Sequence, residues 1–241
     1  MRPHVLLTDV ADLVLGRRCL MCDAIGTALC AACLAGLRSR VQTVAASPGL
    51  PLATASLPYE DEGRTLIVEY KERGNRGLAP MLGVLLADAI APHLLRLPPG
   101  PVAVVSVPSH RWAARGFDAL GGITRAAGRE LSRRGHPVHV QPWLETATTY
   151  RPLKDLSRLE RRCRIEGAFR VPARVKRHAR GPANGGVIVV DDVLTTGATL
   201  GEAVRTLTGA GIPVAGVSVV AWASRDTSVT SRAPARPSFP R

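Results

Sequence analysis

The segment VIVVDDVLTTGATL, residues 187–200, holds the densest group of side chains that could do chemistry. Four β-branched apolar residues lead directly into Asp191 and Asp192, and threonines and a glycine follow them. A short apolar run of this kind predicts a buried strand, here over residues 187–190. Ligands of parallel α/β sheets bind beyond the carboxyl ends of the strands. We therefore expect the two carboxylates at a ligand-binding edge of such a sheet.

The hydroxyl-rich residues after the acidic pair predict a cradle for an anion. A helix is expected over about 199–210, and its first turn offers backbone N–H groups without intrahelical partners and the positive end of the helix dipole. Gly197 lets the backbone approach an anion closely, and the threonine hydroxyls around it add donors. The combination suits a sugar phosphate whose ribose hydroxyls donate to the carboxylates. Two adjacent carboxylates would also stabilise positive charge on the sugar ring during a reaction at C1.

Two common nucleotide-binding motifs are absent from the sequence. It contains no GxxxxGK[ST] phosphate loop, and no GxGxxG follows a strand. A purely structural interpretation of the acidic segment is that Asp191 and Asp192 cap a helix while the threonines fill a turn. The length and order of the pattern favour the ligand-binding interpretation.

Four of the five cysteines form two tight pairs near the start of the sequence, with the spacing C-x₂-C-x₇-C-x₂-C. Each C-x₂-C pair supplies half of a tetrahedral thiolate site, so the spacing predicts a closed, structural Zn²⁺ site. Gly26 lies in the short gap and relieves a tight turn. The alternatives are four free structural cysteines or a redox pair, although redox pairs come singly on a thioredoxin-like unit. The predicted ligands are Cys19, Cys22, Cys30 and Cys33.

Composition and charge limit the class of protein and its partners. The sequence has 241 residues, 46% of them hydrophobic, which is enough for a sizeable core. Aromatic residues make up only 4%, so stacking platforms for single-stranded nucleic acid are scarce. The net charge is +13, and residues 101–180 hold 17 Lys and Arg against 6 Asp and Glu. This basic block either attracts a polyanion or is a solvated arginine-rich surface.

The order of predicted elements indicates an α/β fold. Strand 187–190, helix 199–210 and strand 214–221 form a β-α-β unit, which implies a parallel sheet flanked by helices. A further strand is expected over 101–109. Helices are expected over 78–96 and 117–134.

Targeting signals and domain boundaries complete the sequence-based picture. The apolar stretch 78–95 contains Asp88, His93 and two prolines, so it predicts a buried helix rather than a membrane span. The first residues lack the unbroken apolar core of a signal peptide, and we expect a cytoplasmic protein. The predicted organisation is a zinc-binding module at 1–40, a main domain at 41–225 and a disordered basic tail at 226–241.

Residues 187–199 resemble the PRPP loop of type I phosphoribosyltransferases, which has four apolar residues, two acidic residues and then T-T-G-x-T. The resemblance implies the fold of that family. It also implies that Asp191 and Asp192 are catalytic residues that bind the ribose 2′- and 3′-hydroxyls. A Mg²⁺ ion would bridge the pyrophosphate and ribose oxygens. The residues that would bind PRPP are Leu194, Thr195, Thr196, Gly197, Ala198 and Thr199.

The cysteine module and the PRPP loop together resemble the ComF family over most of residues 15–225. VPSHRWAARGFD at 107–118, RLERRCRIEGAF at 158–169 and EYKERGN at 69–75 are similar to segments of that family. The last of these implies a lysine-containing loop after the first core strand. Guanidinium groups suit phosphate oxygens. The candidates for the diphosphate are Lys71, Arg111 and Arg115.

The sequence departs from the ComF pattern in segments that concern the pyrophosphate and the second substrate. Serine replaces a proline and aspartate replaces an asparagine, and two further positions lose the expected Gln and Asn. The four positions are Ser106, Asp118, Leu153 and Arg164.

Three functions follow from these observations. The first is a phosphoribosyltransferase that transfers phosphoribosyl from PRPP to an unknown acceptor and releases pyrophosphate. The second is a non-catalytic PRPP- or nucleotide-binding accessory module in DNA uptake, which contacts single-stranded DNA or a competence helicase. The third is a structural scaffold without a ligand, against which the intact phosphate loop argues.

Overall fold

The computed structural model describes residues 17–44, 49–108, 116–147, 165–178 and 185–223. Several sequence-based predictions fall outside these ranges and stay predictions. They concern Arg111, Arg115, Leu153, Arg164 and the tail 226–241.

The described residues form α-helices and β-strands that alternate along much of the chain. The helices are α1 (Ala31–Arg38), α2 (Asp61–Lys71), α3 (Ala79–Leu94), α4 (Ala119–Arg133), α5 (Ala173–His178) and α6 (Ala198–Gly209). The strands are β1 (Gln42–Val44), β2 (Ala53–Pro58), β3 (Val102–Ser106), β4 (Val138–Val140), β5 (Glu145–Thr146), β6 (Phe169–Arg170), β7 (Gly186–Leu194) and β8 (Gly216–Trp222). A short 3-10 turn, Arg76–Leu78, leads into α3.

A six-stranded, mostly parallel sheet forms the centre of the fold. Its strand order is β1-β2-β8-β7-β3-β4, and β5 and β6 form a separate antiparallel pair. Only the edge pair β1–β2 of the six-stranded sheet is antiparallel. Parallel neighbours need crossover connections, and here helices provide them. The predicted α/β class is therefore confirmed, with β7 and β8 at the middle of the sheet.

Both faces of the sheet are covered, which explains the near-continuous apolar run of β7. Ile188 and Val190 pack into one cluster with α1, α2, α3 and α4. Val187 and Val189 pack into a second cluster with α6. Each fully buried aliphatic side chain of this kind contributes about 1.5–3 kcal/mol to folding.

The apolar stretch around α3 is a core helix. In the described ranges, Arg76–Leu94 is the stretch long and apolar enough to cross a membrane, with a mean hydropathy of 1.4. Half of it is buried inside the protein, including Leu82 and Ile90, which are fully covered. Gly83 packs so closely on α4 that an added Cβ would lie 2.4 Å from the Cβ of Ala126. The prediction of a buried helix at 78–95 is confirmed.

A buried polar cluster fixes α3 to the sheet. The hydroxyl of Thr54 on β2 donates to the carbonyl of Ala89, at 2.7 Å. The same hydroxyl lies 2.9 Å from Nε2 of His93 and 3.0 Å from the hydroxyl of Ser218 on β8. Desolvation lowers the pKa of His93, so its imidazole is neutral near pH 7. Satisfied buried groups of this kind hold α3 in one position against β2 and β8.

Two sequence-based boundaries were wrong. The strand predicted at 187–190 runs to Leu194, because the ladder to β8 continues past the two aspartates. Of the segment 69–75, which was expected as a lysine-containing loop, residues 69–71 are the last turn of α2 with Lys71 as its last residue, and residues 72–75 form the loop. The buried residues of α2, Leu66, Ile67 and Tyr70, follow helical spacing and pack on the core.

Candidate functional site

The two aspartates are the sixth and seventh of the nine residues of β7, toward the carboxyl-terminal edge of the sheet. Asp191 is in register with Val219 of β8, and the ladder continues to Leu194. Successive side chains of a strand point to opposite faces. Asp192 therefore shares the face of Ile188 and Val190, and Asp191 shares the face of Val187 and Val189. The two side chains therefore leave β7 on opposite faces, but they stay close enough for the charge of Asp192 to raise the pKa of Asp191.

Asp192 forms an ion pair with Lys71. The ammonium group of Lys71 donates to Oδ2 of Asp192, which connects the last residue of α2 to β7. Asp192 is only 8% exposed, and the Lys71 side chain is 19% exposed. A charge-assisted hydrogen bond at such a position is stronger than one in water, because little solvent screens it. The structure thus brings one of the three predicted diphosphate-binding residues against one of the two predicted catalytic residues.

Asp191 has a different environment from its neighbour. Its Oδ1 accepts a hydrogen bond from the backbone N–H of Asp192, at 2.8 Å. Desolvation, with the adjacent charge of Asp192, raises the pKa of Asp191 to about 7, against the opposing effects of that N–H and of Lys71. Near neutral pH this carboxyl group therefore populates both its protonated and its ionised form.

The residues after β7 form a tight bend that leads into α6. Gly197 precedes the helix with φ +75°, in the left-handed region that favours glycine. Its carbonyl accepts from the N–H of Gly201, and the Thr196 hydroxyl accepts from the N–H of Ala198. The helix was predicted from 199 and begins at 198. Its first-turn N–H groups point toward the carboxyl-terminal edge of the sheet, as an anion site needs.

The other predicted residues of this segment differ in exposure. Leu194 is buried, and its carbonyl accepts from the N–H of Ala223 at 2.8 Å, which closes the end of the β7–β8 ladder. Thr195 is exposed, and Thr199 is half-buried in the first turn of α6. The hydroxyl-rich bend therefore combines one anchored residue with side chains that solvent or a ligand can reach.

Glu202 on α6 supports this region and was not predicted. Its buried carboxylate accepts from the N–H of Gly167 at 2.8 Å, just before β6. It also accepts two hydrogen bonds from the guanidinium group of Arg205, at 2.7 and 2.8 Å. The only sequence signal was a Glu–Arg pair at i, i+3, which is common on exposed helices. Glu202 thus connects α6 to the residues that lead into β6.

Phe117 connects α2 to the start of α4. Its ring meets that of Tyr70 edge-on, with centroids 5.5 Å apart, and the guanidinium group of Arg76 lies 4.8 Å from its centroid. The Tyr70 hydroxyl donates to the carbonyl of Ala119 at 3.0 Å. These contacts fix the carboxyl-terminal end of α2, and with it the backbone of Lys71.

Two of the departures from the ComF pattern lie in described residues. Asp118 caps α4, since its Oδ1 accepts from the N–H of Gly121 at 2.9 Å. Asparagine caps helices equally well, so the change from Asn to Asp preserves this local role. Ser106 is the last residue of β3 and is in register with Val190. It lies at the same edge of the sheet as the aspartates.

The four predicted zinc ligands lie together. Their sulfur atoms are all within 4.8 Å of one another, and those of Cys22 and Cys30 are 3.6 Å apart. Tetrahedral Zn²⁺ with Zn–S bonds of ~2.3 Å places sulfurs about 3.8 Å apart, so the cluster fits this ion. Gly26, in the gap between the pairs, has φ +108°, as its predicted turn requires.

The thiols of the cluster are not equivalent. Desolvation raises the pKa of Cys19, but backbone N–H groups, led by that of Cys30, outweigh it and lower the pKa to about 7. Desolvation and the neighbouring sulfurs raise the pKa of Cys33. Sulfurs this close cannot all ionise without a cation between them, which is consistent with a metal-binding role.

The cysteine cluster packs into the main core without a break. Cys19, Cys33 and Leu37 belong to the same apolar cluster as Leu66 and Leu82. The packing is thus continuous across the module boundary predicted at residue 40.

Ion pairs reinforce the contact between α1 and the helical layer. Arg38 donates two hydrogen bonds to Asp88 on α3, at 2.7 and 3.1 Å, and Arg134 pairs with the same carboxylate. A surface hollow of about 410 Å³ lies beside them, and Ala35 and Ala91 contribute to its walls. None of its lining residues belongs to the β7 edge.

The fold and site define an α/β protein with a mostly parallel sheet that is covered on both faces. It has acidic and hydroxyl-bearing residues at the carboxyl-terminal edge of the sheet and a cluster of four cysteines. No protein-family model matches the chain, and no curated protein matches it. A solved structure of the hypoxanthine phosphoribosyl transferase of Trypanosoma cruzi is similar at 17% identity, over 64% of this chain and 67% of that one. Its TM-score is 0.35, which does not by itself establish a shared fold.

Proposed function

We propose that the carboxyl-terminal edge of β7 binds PRPP and that the protein transfers phosphoribosyl from it to an acceptor. The observation that carries this proposal is the combination of groups at that edge. A buried carboxylate, a lysine from a distant helix and a left-handed glycine at a helix start meet there. Each of them suits one part of a sugar diphosphate.

The parts of PRPP correspond to different elements of the site. The 5′-phosphate binds at the start of α6, to first-turn N–H groups and to the hydroxyls of Thr195 and Thr199. The ribose hydroxyls donate to Asp191 and Asp192. Lys71, with Arg111 and Arg115 as predicted from the sequence, supplies positive charge for the diphosphate.

The residues of the site also fit a Mg²⁺ ion that enters with PRPP. Mg²⁺ takes oxygen ligands and is usually held by one or two carboxylates plus substrate phosphates, and Asp191 and Asp192 are the carboxylates at this edge. When bound, the ion neutralises charge on the leaving diphosphate.

The proposed reaction is a displacement at ribose C1. A lone pair of the acceptor forms a bond to C1 while the bond from C1 to the diphosphate oxygen breaks, and its electron pair leaves with pyrophosphate. The acceptor then loses a proton to solvent. The two carboxylates stabilise positive charge on the ring, and the anchored bend holds the phosphoribosyl group in place.

Ligand-induced stabilisation tests the proposal. PRPP with Mg²⁺ at about 100 times its Kd stabilises a protein by about 2.7 kcal/mol, which for this size raises Tm by roughly 5–10 °C. We expect Asp191→Ala to abolish the shift. Glu145→Ala is the matched control, because Glu145 pairs with Arg170 in the separate two-stranded sheet. An unshifted wild type, or a shift that survives in Asp191→Ala, contradicts the proposal.

The proposal does not name the acceptor of the phosphoribosyl group. A screen of bases and amines for pyrophosphate release identifies it. A productive acceptor gives release that depends on PRPP, Mg²⁺ and Asp191. Binding of PRPP without release with any acceptor favours the second candidate function, a non-catalytic PRPP-binding module.

One observation favours a nucleic-acid partner in that second function. Arg125, Arg129 and Arg133 lie at i, i+4 and i+8 on the exposed face of α4, about 6 Å apart along its axis. Such a row suits successive phosphates of a single strand once Arg125 and Arg133 exchange their exposed ion pairs with Asp118 and Glu130 for phosphates. Its affinity would fall steeply as salt rises. If single-stranded DNA does not bind, or if its binding does not depend on salt, the proposed nucleic-acid partner is wrong. A cytoplasmic location, a competence helicase as partner and membership of the ComF family stay predictions.

A further inference from the structure

The ion pair between Lys71 and Asp192 occupies two groups that the proposed ligand needs. The residues are 121 positions apart, and both side chains are largely buried. Among the described residues, Lys71 is the hydrogen-bond partner of the Asp192 carboxylate. Arg73, the next cation on this segment, pairs with Glu69 instead. Without a ligand, the lysine and the carboxylate therefore satisfy each other.

Separating the pair has a cost that a ligand must offset. A buried ion left without its partner loses its charge-assisted hydrogen bond and regains little solvation. Ribose hydroxyls would replace the lysine at Asp192. The freed ammonium group of Lys71 then needs an anion of its own within reach.

The local structure allows the exchange without movement of the helix. Tyr70, which precedes Lys71, is anchored by its hydroxyl on Ala119 and its ring on Phe117. Lysine carries its charge on a flexible four-carbon stem. The ammonium group can therefore swing by several ångströms while the backbone of α2 stays fixed.

We propose that this ion pair is a specificity device that selects sugar phosphates carrying a diphosphate at C1. The inference rests on the proposed function and adds a residue role to it. A ligand with both ribose hydroxyls and a diphosphate satisfies Asp192 and Lys71 at once. Ribose 5-phosphate provides hydroxyls for Asp192 but leaves Lys71 without an anion. Pyrophosphate alone provides an anion for Lys71 but leaves Asp192 without a hydrogen-bond donor.

Binding of the two halves of the ligand to Asp192→Asn tests the device. Calorimetric titration with pyrophosphate should show about tenfold tighter binding than to the wild type, because Lys71 is released. Titration with ribose 5-phosphate should show weaker binding, because the carboxylate acceptor is lost. A merely structural effect of the substitution would move both affinities in the same direction.

Two further variants separate release of the lysine from simple loss of negative charge. Asp191→Asn removes the same charge next to the site but leaves the ion pair intact. Its increase in affinity for pyrophosphate should therefore be clearly smaller than that of Asp192→Asn. In the double variant Asp192→Asn with Lys71→Met, the gain should disappear. Thermal unfolding of each variant confirms that it is folded.

The outcomes distinguish this inference from the proposed function. If the wild type fails to bind PRPP with Mg²⁺, the proposed function is wrong. If the wild type binds PRPP but Asp192→Asn binds pyrophosphate no more tightly than Asp191→Asn does, the specificity device is wrong and the binding site stands.

Discussion

The cysteine cluster and the β7 edge are assembled in opposite ways. The four cysteines come from fifteen consecutive residues, and their sulfurs meet through local turns. The β7 edge needs a lysine from α2, carboxylates from β7 and a bend before α6, so long-range sheet pairing assembles it. The first region has two of its cysteines in the apolar core and two half-buried against it, and the second holds paired charges at the margin of that core. We infer that the first exists for stability and the second, at some cost in stability, for binding.

The largest expected effect is loss of a cysteine ligand. Cys33 is buried in the main core and is one of the four predicted zinc ligands, so Cys33→Ser should prevent zinc binding and loosen α1, at a cost on the order of 5 kcal/mol. Chemical denaturation and zinc quantification measure the two effects. Cys163→Ser is the control, since Cys163 has no neighbouring cysteine in the sequence. If Cys33→Ser unfolds at the same denaturant concentration as the wild type, the structural role of the cluster is wrong.

Two helical glycines give a matched contrast between core and site. At Gly83, an added Cβ would meet α4 at 2.4 Å, with backbone atoms of Ala126 and Ala127 at 2.9 Å. Gly83→Ala should therefore destabilise the protein by about 1–3 kcal/mol through overpacking. At Gly201 in α6, no atom lies within 4 Å of an added Cβ, so Gly201→Ala should stabilise by about 0.5–1 kcal/mol. If urea denaturation shows the same change in stability for Gly83→Ala and Gly201→Ala, the expected difference between the two positions is wrong.

Burial of the Asp191 carboxylate should lower the stability of the folded protein at neutral and higher pH. Burial raises its folded pKa to about 7, above the ordinary 3.8, so the folded state binds more protons than the unfolded state between these values. This group therefore lowers stability as pH rises from about 4 to 7. Asp191→Asn should stabilise the protein by about 1–2 kcal/mol at pH 8 and hardly at all at pH 4.

The control for Asp191 is an exposed carboxylate. Asp23→Asn removes a largely exposed ion pair with Arg18, and its effect should stay within about 0.5 kcal/mol at both pH values. Denaturation curves for both variants at pH 4 and pH 8 make the comparison. An Asp191→Asn variant that is less stable than the wild type at pH 8 would contradict the idea of a strained site.

The core has its own pH dependence, with the opposite sign and a smaller effect. Desolvation and the charge of Arg96 lower the folded pKa of His93 below 6.5, so the unfolded state takes up a proton that the folded state does not. Stability should fall as pH drops below 6.5, by at most about 1.4 kcal/mol per pH unit. His93→Gln should flatten that slope without changing the slope above it. An unchanged slope would mean that other groups cause the acid sensitivity.

The sequence was sufficient where a pattern is local. Local geometry is specified by the C-x₂-C pairs, by the apolar run before Asp191 and by the glycine at 197. This is why the sequence predicted the parallel α/β class and the sulfur cluster, both of which are confirmed. The bend before α6 was placed within one residue for the same reason.

The sequence was insufficient where contacts join distant elements. The ion pair of Lys71 with Asp192 spans 121 residues, and nothing near Lys71 indicates its partner. Glu202 is buried because Gly167 and Arg205 satisfy it, which an amphipathic helix pattern does not reveal. The extension of β7 past its aspartates depends on pairing with β8, whereas the sequence there indicates a loop. Strand alternation then gives the two aspartates different partners, Lys71 for Asp192 and a backbone N–H for Asp191.

The most direct test of the account is a crystal structure with PRPP and Mg²⁺ bound. We expect the ribose hydroxyls within hydrogen-bonding distance of Asp191 and Asp192, the 5′-phosphate at the first turn of α6 and Lys71 turned from Asp192 to the diphosphate. PRPP bound elsewhere on the protein, or in contact with neither aspartate, would contradict it.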